Sequence, residues 1–253
     1  MFEYAIVRKP CRTFKYGLTD ADLGIPDYKK ALSQHKIYVQ ALKRCGLQVI
    51  ELKADERYPD STFVEDTAIT EKNFAIILNM GAPSRRGEEI EIENVLNDFY
   101  DKIEKISHPG TVDGGDVMNV ENHYYIGISK RTNLEGANQL VKIFKKNNYL
   151  CSKIPLTNLL HLKTGISYIG DYNVIAVNKF RKLPHFKRFN IIYTHENEQF
   201  GANSIRINEY VLIPKGCIIL SKSLKSLGYR LLELDLSEFR KMDGGISCLS
   251  LRF

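Results

Sequence analysis

The chain ends in KMDGGISCLSLRF, where Cys248 stands three residues after the Gly244–Gly245 pair. A thiolate at such a place could attack an electrophilic carbon, although a lone cysteine is more often a small inert hydrophobe. His161, between Leu160 and Leu162 in LLHLKTG, could move a proton or could be a satisfied core histidine. Carboxylates gather in two further stretches, with Asp60, Glu65 and Asp66 in PDSTFVED and Asp113 and Asp116 in VDGGD. The glycine pair there is a turn signal on its own. Asn203 in GANSI completes the set of polar groups that open β-rich segments. Taken together, a thiol, an imidazole and several carboxylates describe a specific chemistry. The thiolate attacks, the imidazole protonates a departing amine, and the carboxylates hold and neutralise a cation. A planar guanidinium fits this set better than a peptide carbonyl, because carboxylates bind it through bidentate hydrogen bonds.

These residues open five strand-like segments, at 63–70, 113–120, 163–170, 201–208 and 244–251. A second β-rich run follows each of the first four, as FAIILN, YYIGIS, NVIAVN and YVLIP, and the N-terminal EYAIVR supplies it for the fifth. Helical spacing then predicts a helix over 27–45, stopped by Gly46, and another over 134–146. A more polar helix is expected over 88–100, and a short one capped by Ser221 and ended by Gly228. The fourth unit has room only for an abbreviated helix. Repetition of a ββαβ-like unit predicts an α/β fold, a five-bladed α/β propeller closed by the N- and C-terminal strands, as one domain over 1–253. An ordinary α/β sheet is the alternative. In a ring, the polar starts of the segments would converge on one cavity.

Composition narrows the class further. Of 253 residues, 43% are hydrophobic and 26% charged, as in soluble globular proteins. No apolar run approaches the roughly 20 residues of a membrane span, and MFEYAIVRKP lacks the layout of a signal peptide. Five scattered cysteines without a CxxC pair argue against a disulfide framework or a structural zinc site and for a reducing cytoplasm. The net charge of +6 (36 basic against 30 acidic residues) is dispersed, so no nucleic-acid partner is expected.

Read in order, YGLTDADLGIPDYKKALSQH, ERYPDSTFVED, GAPSRRGE, HPGTVDGGDVM, RTNLEGA, LHLKTGISY, GANSI and KMDGGISCLSLRF cover nearly the whole chain. They resemble the small bacterial dimethylarginine dimethylaminohydrolases, within the guanidine-modifying pentein superfamily. The resemblance implies the five-bladed propeller and hydrolysis of Nω-methylated arginines (asymmetric dimethylarginine, monomethylarginine) to citrulline and dimethylamine or methylamine. It implies a covalent S-alkylthiouronium intermediate on Cys248, with His161 as general acid and base. It sets Asp60, Glu65 and Asp66 against the substrate, the latter two at its amidino end, and Arg85 and Arg131 on its α-carboxylate. Leu18 falls in the mobile lid loop, Met242 at a backbone contact, and Phe63 near the methylated end. No metal or organic cofactor is implied; the methylated arginine is the expected partner, with a homodimer left open.

The resemblance breaks at one position. Asp113 stands where the family usually has Glu, beside the catalytic histidine. One methylene less is expected to displace the carboxylate by about 1 Å or more, unless the adjoining glycines shift the backbone. Two other readings compete: a small arginine deiminase, whose relatives usually carry a large helical insertion, and a non-catalytic pentein like the ribosome-binding initiation factor of this fold.

Overall fold

The computed structural model describes residues 1–253, the side chain of Lys182 excepted. The chain forms two compact units, residues 1–63 with 165–253, and residues 64–164.

In the first unit, β1 (Tyr4–Arg8) pairs in parallel with β2 (Gln48–Leu52). In the second, β3 (Ala68–Thr70), β4 (Ala75–Ile77) and β5 (Ile103–Lys105) form one sheet, and β6 (Val117–Val120), β7 (His123–Ile128) and β8 (Leu150–Pro155) another. Back in the first unit come β9 (Ile166–Tyr168), β10 (Asn173–Ala176) and β11 (Asn190–Tyr193), then β12 (Ile205–Ile207), β13 (Tyr210–Pro214) and β14 (Arg230–Leu234). β15 (Leu251–Arg252) returns antiparallel to β1. Every sheet has three strands, the middle one antiparallel to one neighbour and parallel to the other. This is the ββαβ unit expected from the repeat, and the terminal strands of the chain share a sheet as expected.

A parallel pair needs a crossover, and helices provide it. α1 (Tyr28–Arg44) connects β1 to β2, α2 (Glu89–Leu96) connects β4 to β5, and α3 (Leu134–Lys146) connects β7 to β8. Asp27 caps α1 by accepting from the Lys30 amide at 2.7 Å, and Asn133 caps α3 by accepting from the Gly136 amide at 2.8 Å. The apolar face of α1 (Ala31, Tyr38, Leu42) joins Phe14, Phe63 and Phe239 in the main core of the first unit. Ala137, Leu140 and Phe144 of α3 do the same in the second unit, against Tyr124 and Val112. Short 3-10 turns at Asn178–Lys182 and Pro184–Phe186 replace a helix between β10 and β11, which is the abbreviated unit.

Several boundaries differ from expectation, and the helix expected over 88–100 spans only Glu89–Leu96. Each polar segment start is a short helical stretch, and its strand begins only afterwards: single turns at Val64–Thr67 before β3, Gly114–Asp116 before β6, α4 (Leu162–Gly165) before β9 and Ser247–Leu249 before β15, and two turns kinked at Glu198 over Glu196–Ala202 before β12. Acidic residues and glycines suit a tight turn better than a ladder. The helix expected to start at Ser221 is α5 (Ile218–Ser226), with Cys217 at its N-cap. Ser221 lies inside it and donates its hydroxyl to Glu233 at 2.8 Å. Before the terminal turn, α6 (Ser237–Arg240) leads into the segment that carries Cys248.

Candidate active site

The second unit holds the imidazole. Asp113, at the start of the Gly114–Asp116 turn, is wholly buried, and its Oδ1 accepts from the Gly81 amide at 2.8 Å. Its Oδ2 lies 3.1 Å from His161 Nε2. The aspartate therefore reaches the imidazole despite its shorter chain. The glycines explain why. A Cβ on Gly115 would stand 2.7 Å from His161 Nδ1, and one on Gly114 would overlap the Glu65 carbonyl. The backbone thus approaches the ring where a side chain would block it.

Asp66, in the Val64–Thr67 turn, accepts from the Gly115 amide at 2.8 Å through Oδ1 and pairs with Arg85 Nη1 at 2.7 Å through Oδ2. Arg85 is buried and also forks onto Glu88, with Nη2–Oε2 at 2.8 Å and Nε–Oε1 at 3.1 Å. Its guanidinium is thus already satisfied on both sides by acids, and together the acids hold it fully charged, above its ordinary pKa, against the burial that disfavours the charge. Arg131 is less engaged, its Nη1 4.0 Å from Asp113 Oδ2. Glu65 pairs with Lys163 Nζ at 2.6 Å, both side chains largely out of solvent.

Three carboxylates surround one ring. Burial disfavours the imidazolium of His161, but Asp66, Asp116 and Asp113 outweigh it and carry its pKa up to about 9. Asp113 shows the reciprocal effect: burial would raise it, yet the His161 hydrogen bond and charge hold it below its ordinary value. An ionised Asp113 can only accept, so Nε2 carries the proton in this bond. Asp66, Asp113 and His161 present ligand atoms within 4.8 Å of one another, a spacing a metal ion could bridge. Those atoms are, however, already committed to Arg85, Gly115, Gly81 and each other, which makes the trio an ion-pair network.

The first unit holds the thiol. Cys248 sits half-buried in the Ser247–Leu249 turn, and the Gly245 amide approaches its Sγ at 3.4 Å. Asn203 grips the turn from the side: its Oδ1 accepts from the Ser247 amide at 2.9 Å, and its Nδ2 donates to Ser247 Oγ at 3.1 Å. Tyr38 of α1 grips it from below, donating to the Ile246 carbonyl at 2.8 Å, with Ser250 Oγ 2.7 Å away. A Cβ on Gly245 would meet Asn203 Cγ at 2.5 Å, and one on Gly244 would meet Phe63 Cζ at 2.6 Å. The glycines before the cysteine are therefore required by close packing. Asn203 was visible in the sequence only as a polar opener of a segment; Tyr38 was visible only as a helix-face residue.

Asp60 accepts the Leu18 amide with both oxygens, at 3.2 and 3.1 Å. Leu18 itself is exposed, whereas Met242 and Phe63 are buried in the core of this unit. The Phe63 ring packs tilted against Phe14, at 5.9 Å between centroids, and edge-on against Phe239, at 6.4 Å. The other thiols are raised by burial, Cys45 and Cys151 to about 11 and Cys217 to about 12, and Cys11 upward as well. None of the four suits nucleophilic attack at neutral pH. His35, read as a packing residue on α1, is buried with its pKa lowered by burial to about 4.

Comparison with known proteins places this architecture. The structure superposes on the N-terminal domain of ArgZ, a cyanobacterial arginine dihydrolase, with a TM-score of 0.86 at 18% identity, covering 100% of this chain and 97% of that one. It superposes on a cysteine-to-serine mutant of the Pseudomonas aeruginosa dimethylarginine dimethylaminohydrolase complexed with citrulline, with a TM-score of 0.98 at 47% identity over 100% of both chains. The fold is thus the α/β pentein propeller of guanidine-modifying proteins. The family described as N,N dimethylarginine dimethylhydrolase, eukaryotic, matches residues 26–180. The Pseudomonas aeruginosa N(G),N(G)-dimethylarginine dimethylaminohydrolase is 47% identical over 254 residues, 100% of each chain. The chain belongs to the dimethylarginine dimethylaminohydrolase family.

Proposed function

We propose that the protein hydrolyses Nω-methylated arginines, asymmetric dimethylarginine and monomethylarginine, to citrulline and the corresponding methylamine. The observation that carries this reading is the buried imidazole of His161, kept protonated by three carboxylates in a chain of this family. An imidazole of pKa about 9 holds its proton at neutral pH and is ready to give it to a departing amine.

The chemistry takes two steps. The Cys248 thiolate bonds to the guanidinium carbon, the bond to the methylated nitrogen breaks, and His161 gives that nitrogen its proton. The resulting S-alkylthiouronium is then attacked by water, whose proton returns to the neutral imidazole. The carbon–sulfur bond breaks with its electrons returning to sulfur as the thiolate, the remaining hydroxyl proton passes to the released amine or solvent, and citrulline leaves. Asp113 holds Nε2 of the ring throughout. Asp60, Glu65 and Asp66 are the proposed acceptors of the substrate's donors, Asp66 only through the lone pairs that Gly115 and Arg85 leave, with Leu18, Met242 and Phe63 beside it. Arg131 and Arg85 are the proposed binders of its α-carboxylate. Arg131 is better placed for this, since Arg85 already answers two acids. We read residues 1–253 as one catalytic domain, acting without a metal or organic cofactor. Its five free cysteines fit a reducing cytoplasm, and among the described residues no helix is long and apolar enough to cross a membrane.

The test is citrulline release from asymmetric dimethylarginine, monomethylarginine and arginine, with Cys248→Ser as the blank. Release from the methylated substrates alone supports the reading. Release mainly from arginine would make the protein a small deiminase, and release from none would overturn the assignment.

A further inference from the structure

Asp116 was read from the sequence as one more carboxylate for a cationic substrate, but it cannot serve as one. It is wholly buried, and its oxygens are committed inside the second unit. Oδ1 accepts the amide of Leu162, the residue after His161, at 2.9 Å. Oδ2 accepts the Ser129 hydroxyl at 2.6 Å. That hydroxyl in turn accepts the amides of Arg131 at 3.0 Å and Thr132 at 3.1 Å. The Thr132 hydroxyl accepts the amide of Asp113 at 3.1 Å, and Asp113 returns to His161. The bonds close a circuit: the His161 turn, Asp116, Ser129, Thr132, Asp113 and the imidazole.

A second feature points to the same carboxylate. Gly127 lies within β7, where glycine weakens a strand. A Cβ there would stand 2.8 Å from Asp116 Oδ1 and 3.1 Å from Leu162 Cβ. The strand leaves open the space in which Asp116 meets the His161 turn.

We propose that Asp116 is a positioning residue that ties the turn carrying His161 to the turn carrying Arg131, so that one buried carboxylate sets both groups. This rests on the roles assigned to His161 and Arg131 above. Substrate end-binding and proton transfer are then mechanically coupled: disturbing Asp116 moves KM and kcat together, though the side chain touches neither substrate nor reacting atoms. The charge has a second effect. Asp66, Asp113 and Asp116 are the carboxylates acting on the ring, with Arg85 and Arg131 beyond them. Removing one of the three lowers the imidazole's hold on its proton.

Asp116→Asn keeps the shape and breaks the link. Its carboxamide oxygen can still accept from Leu162, but its NH2 would face a serine oxygen whose lone pairs are already taken. We expect kcat to fall roughly 10²-fold, as a displacement near 1 Å allows, KM to rise, and the His161 titration in the free protein to shift to lower pH. That titration is followed by NMR and assigned against His161→Gln. Ser129→Ala cuts the link from Asp116 to the Arg131–Thr132 turn but keeps the Asp116–Leu162 and Asp113–His161 bonds, and should raise KM while shifting the His161 titration less than Asp116→Asn does. If Asp116→Asn does not fold, Gly127→Ala pushes the same carboxylate and should give the same pattern, reduced. The proposal is overturned if these variants lose thermal stability alone, with kcat and KM per folded site and the His161 titration unmoved. If the unaltered protein releases no citrulline from methylated arginine, the functional reading fails instead, and the titration still decides the role of Asp116.

Discussion

Cys248 is placed mainly by packing and by hydrogen bonds, one of them from the Arg252 guanidinium to the Ser247 carbonyl at 3.0 Å, whereas His161 is placed by buried carboxylates. Around the cysteine turn stand an asparagine, a tyrosine, the Arg252 guanidinium and two glycines, one of them pressed against the Phe63 ring. Around the imidazole stand three buried acids and the arginine that balances them. The difference follows from what each group must do. Besides the ionisation of its thiol, a nucleophile needs a fixed position and an approach path, which packing supplies. An acid–base group needs a defined proton affinity, which only desolvation and neighbouring charges can tune. The first unit should therefore fail sterically and the second electrostatically.

The largest expected effect tests the steric half. Gly245→Ala forces a methyl against Asn203, where neither the asparagine nor the turn it holds has room. We expect at least roughly 10²-fold loss of kcat and a lower Tm, with the His161 titration unchanged. A variant with wild-type kcat would show that the turn is adaptable and would break the contrast. Asp113→Glu installs the residue that the family resemblance leads one to expect there, and asks whether the second unit has a steric limit as well. The site is closed around the aspartate, so an extra methylene overpacks it at a cost of about 1–3 kcal/mol. Lower stability and lower activity are expected, by stopped denaturation curves and steady-state kinetics. Gain of activity would mean that the glycine turn relaxes to admit the longer acid.

Legibility followed the same division. The repeat was readable because strands and helices leave period-2 and period-3.6 patterns, and α3 was found at its observed limits, 134–146. The chemistry-bearing residues were readable because thiol, imidazole and carboxylates are few and stood at equivalent points of the repeat. Their engagement was not. Nothing in SRRGE shows that Arg85 turns inward to Asp66 and Glu88, and nothing in VDGGD separates an Asp113 that touches the imidazole from an Asp116 that braces its backbone. Those distinctions depend on which way each turn rolls its side chains, a tertiary property with no local periodicity. The start of α5 was missed because Ser221, a favoured cap residue, spends its hydroxyl on Glu233 inside the helix.

The pH dependence sharpens the electrostatic half at a smaller scale. Folding raises the His161 pKa from 6.5 to about 9, so the fold favours the imidazolium. Stability from this group is complete below about pH 6.5 and is lost as pH rises through about 9. Asp116 is raised by burial from 3.8 to about 6 and acts in the same direction, but in the window between those values. Thermal melts from pH 6.5 to 9.5 should therefore show a falling Tm, by several degrees at roughly 2–4 °C per kcal/mol for a chain of this size. His161→Gln should start lower and fall less. Parallel curves for the two proteins would remove His161 as the source.

The smallest effect belongs to the segment before Cys248, where the first unit does use a charge. Asp243 holds the loop at 19–20: its Oδ2 accepts from the Asp20 amide at 2.7 Å and shares the single Thr19 hydroxyl proton with the Lys241 carbonyl, each 3.0 Å from Thr19 Oγ. Asp243 adopts φ +57°, a left-handed conformation that asparagine tolerates well. Asp243→Asn therefore keeps the backbone and removes only the charge-assisted acceptor. Since a hydrogen bond to a charged group contributes about 1.5–3 kcal/mol and part of that is recovered by the amide oxygen, the loop should loosen without detaching. A few-fold rise in KM for methylarginine is expected, with kcat and the Gly245-dependent cysteine turn preserved. A comparable fall in kcat would show that this carboxylate helps place Cys248, and the first unit would then rely on charge as the second does.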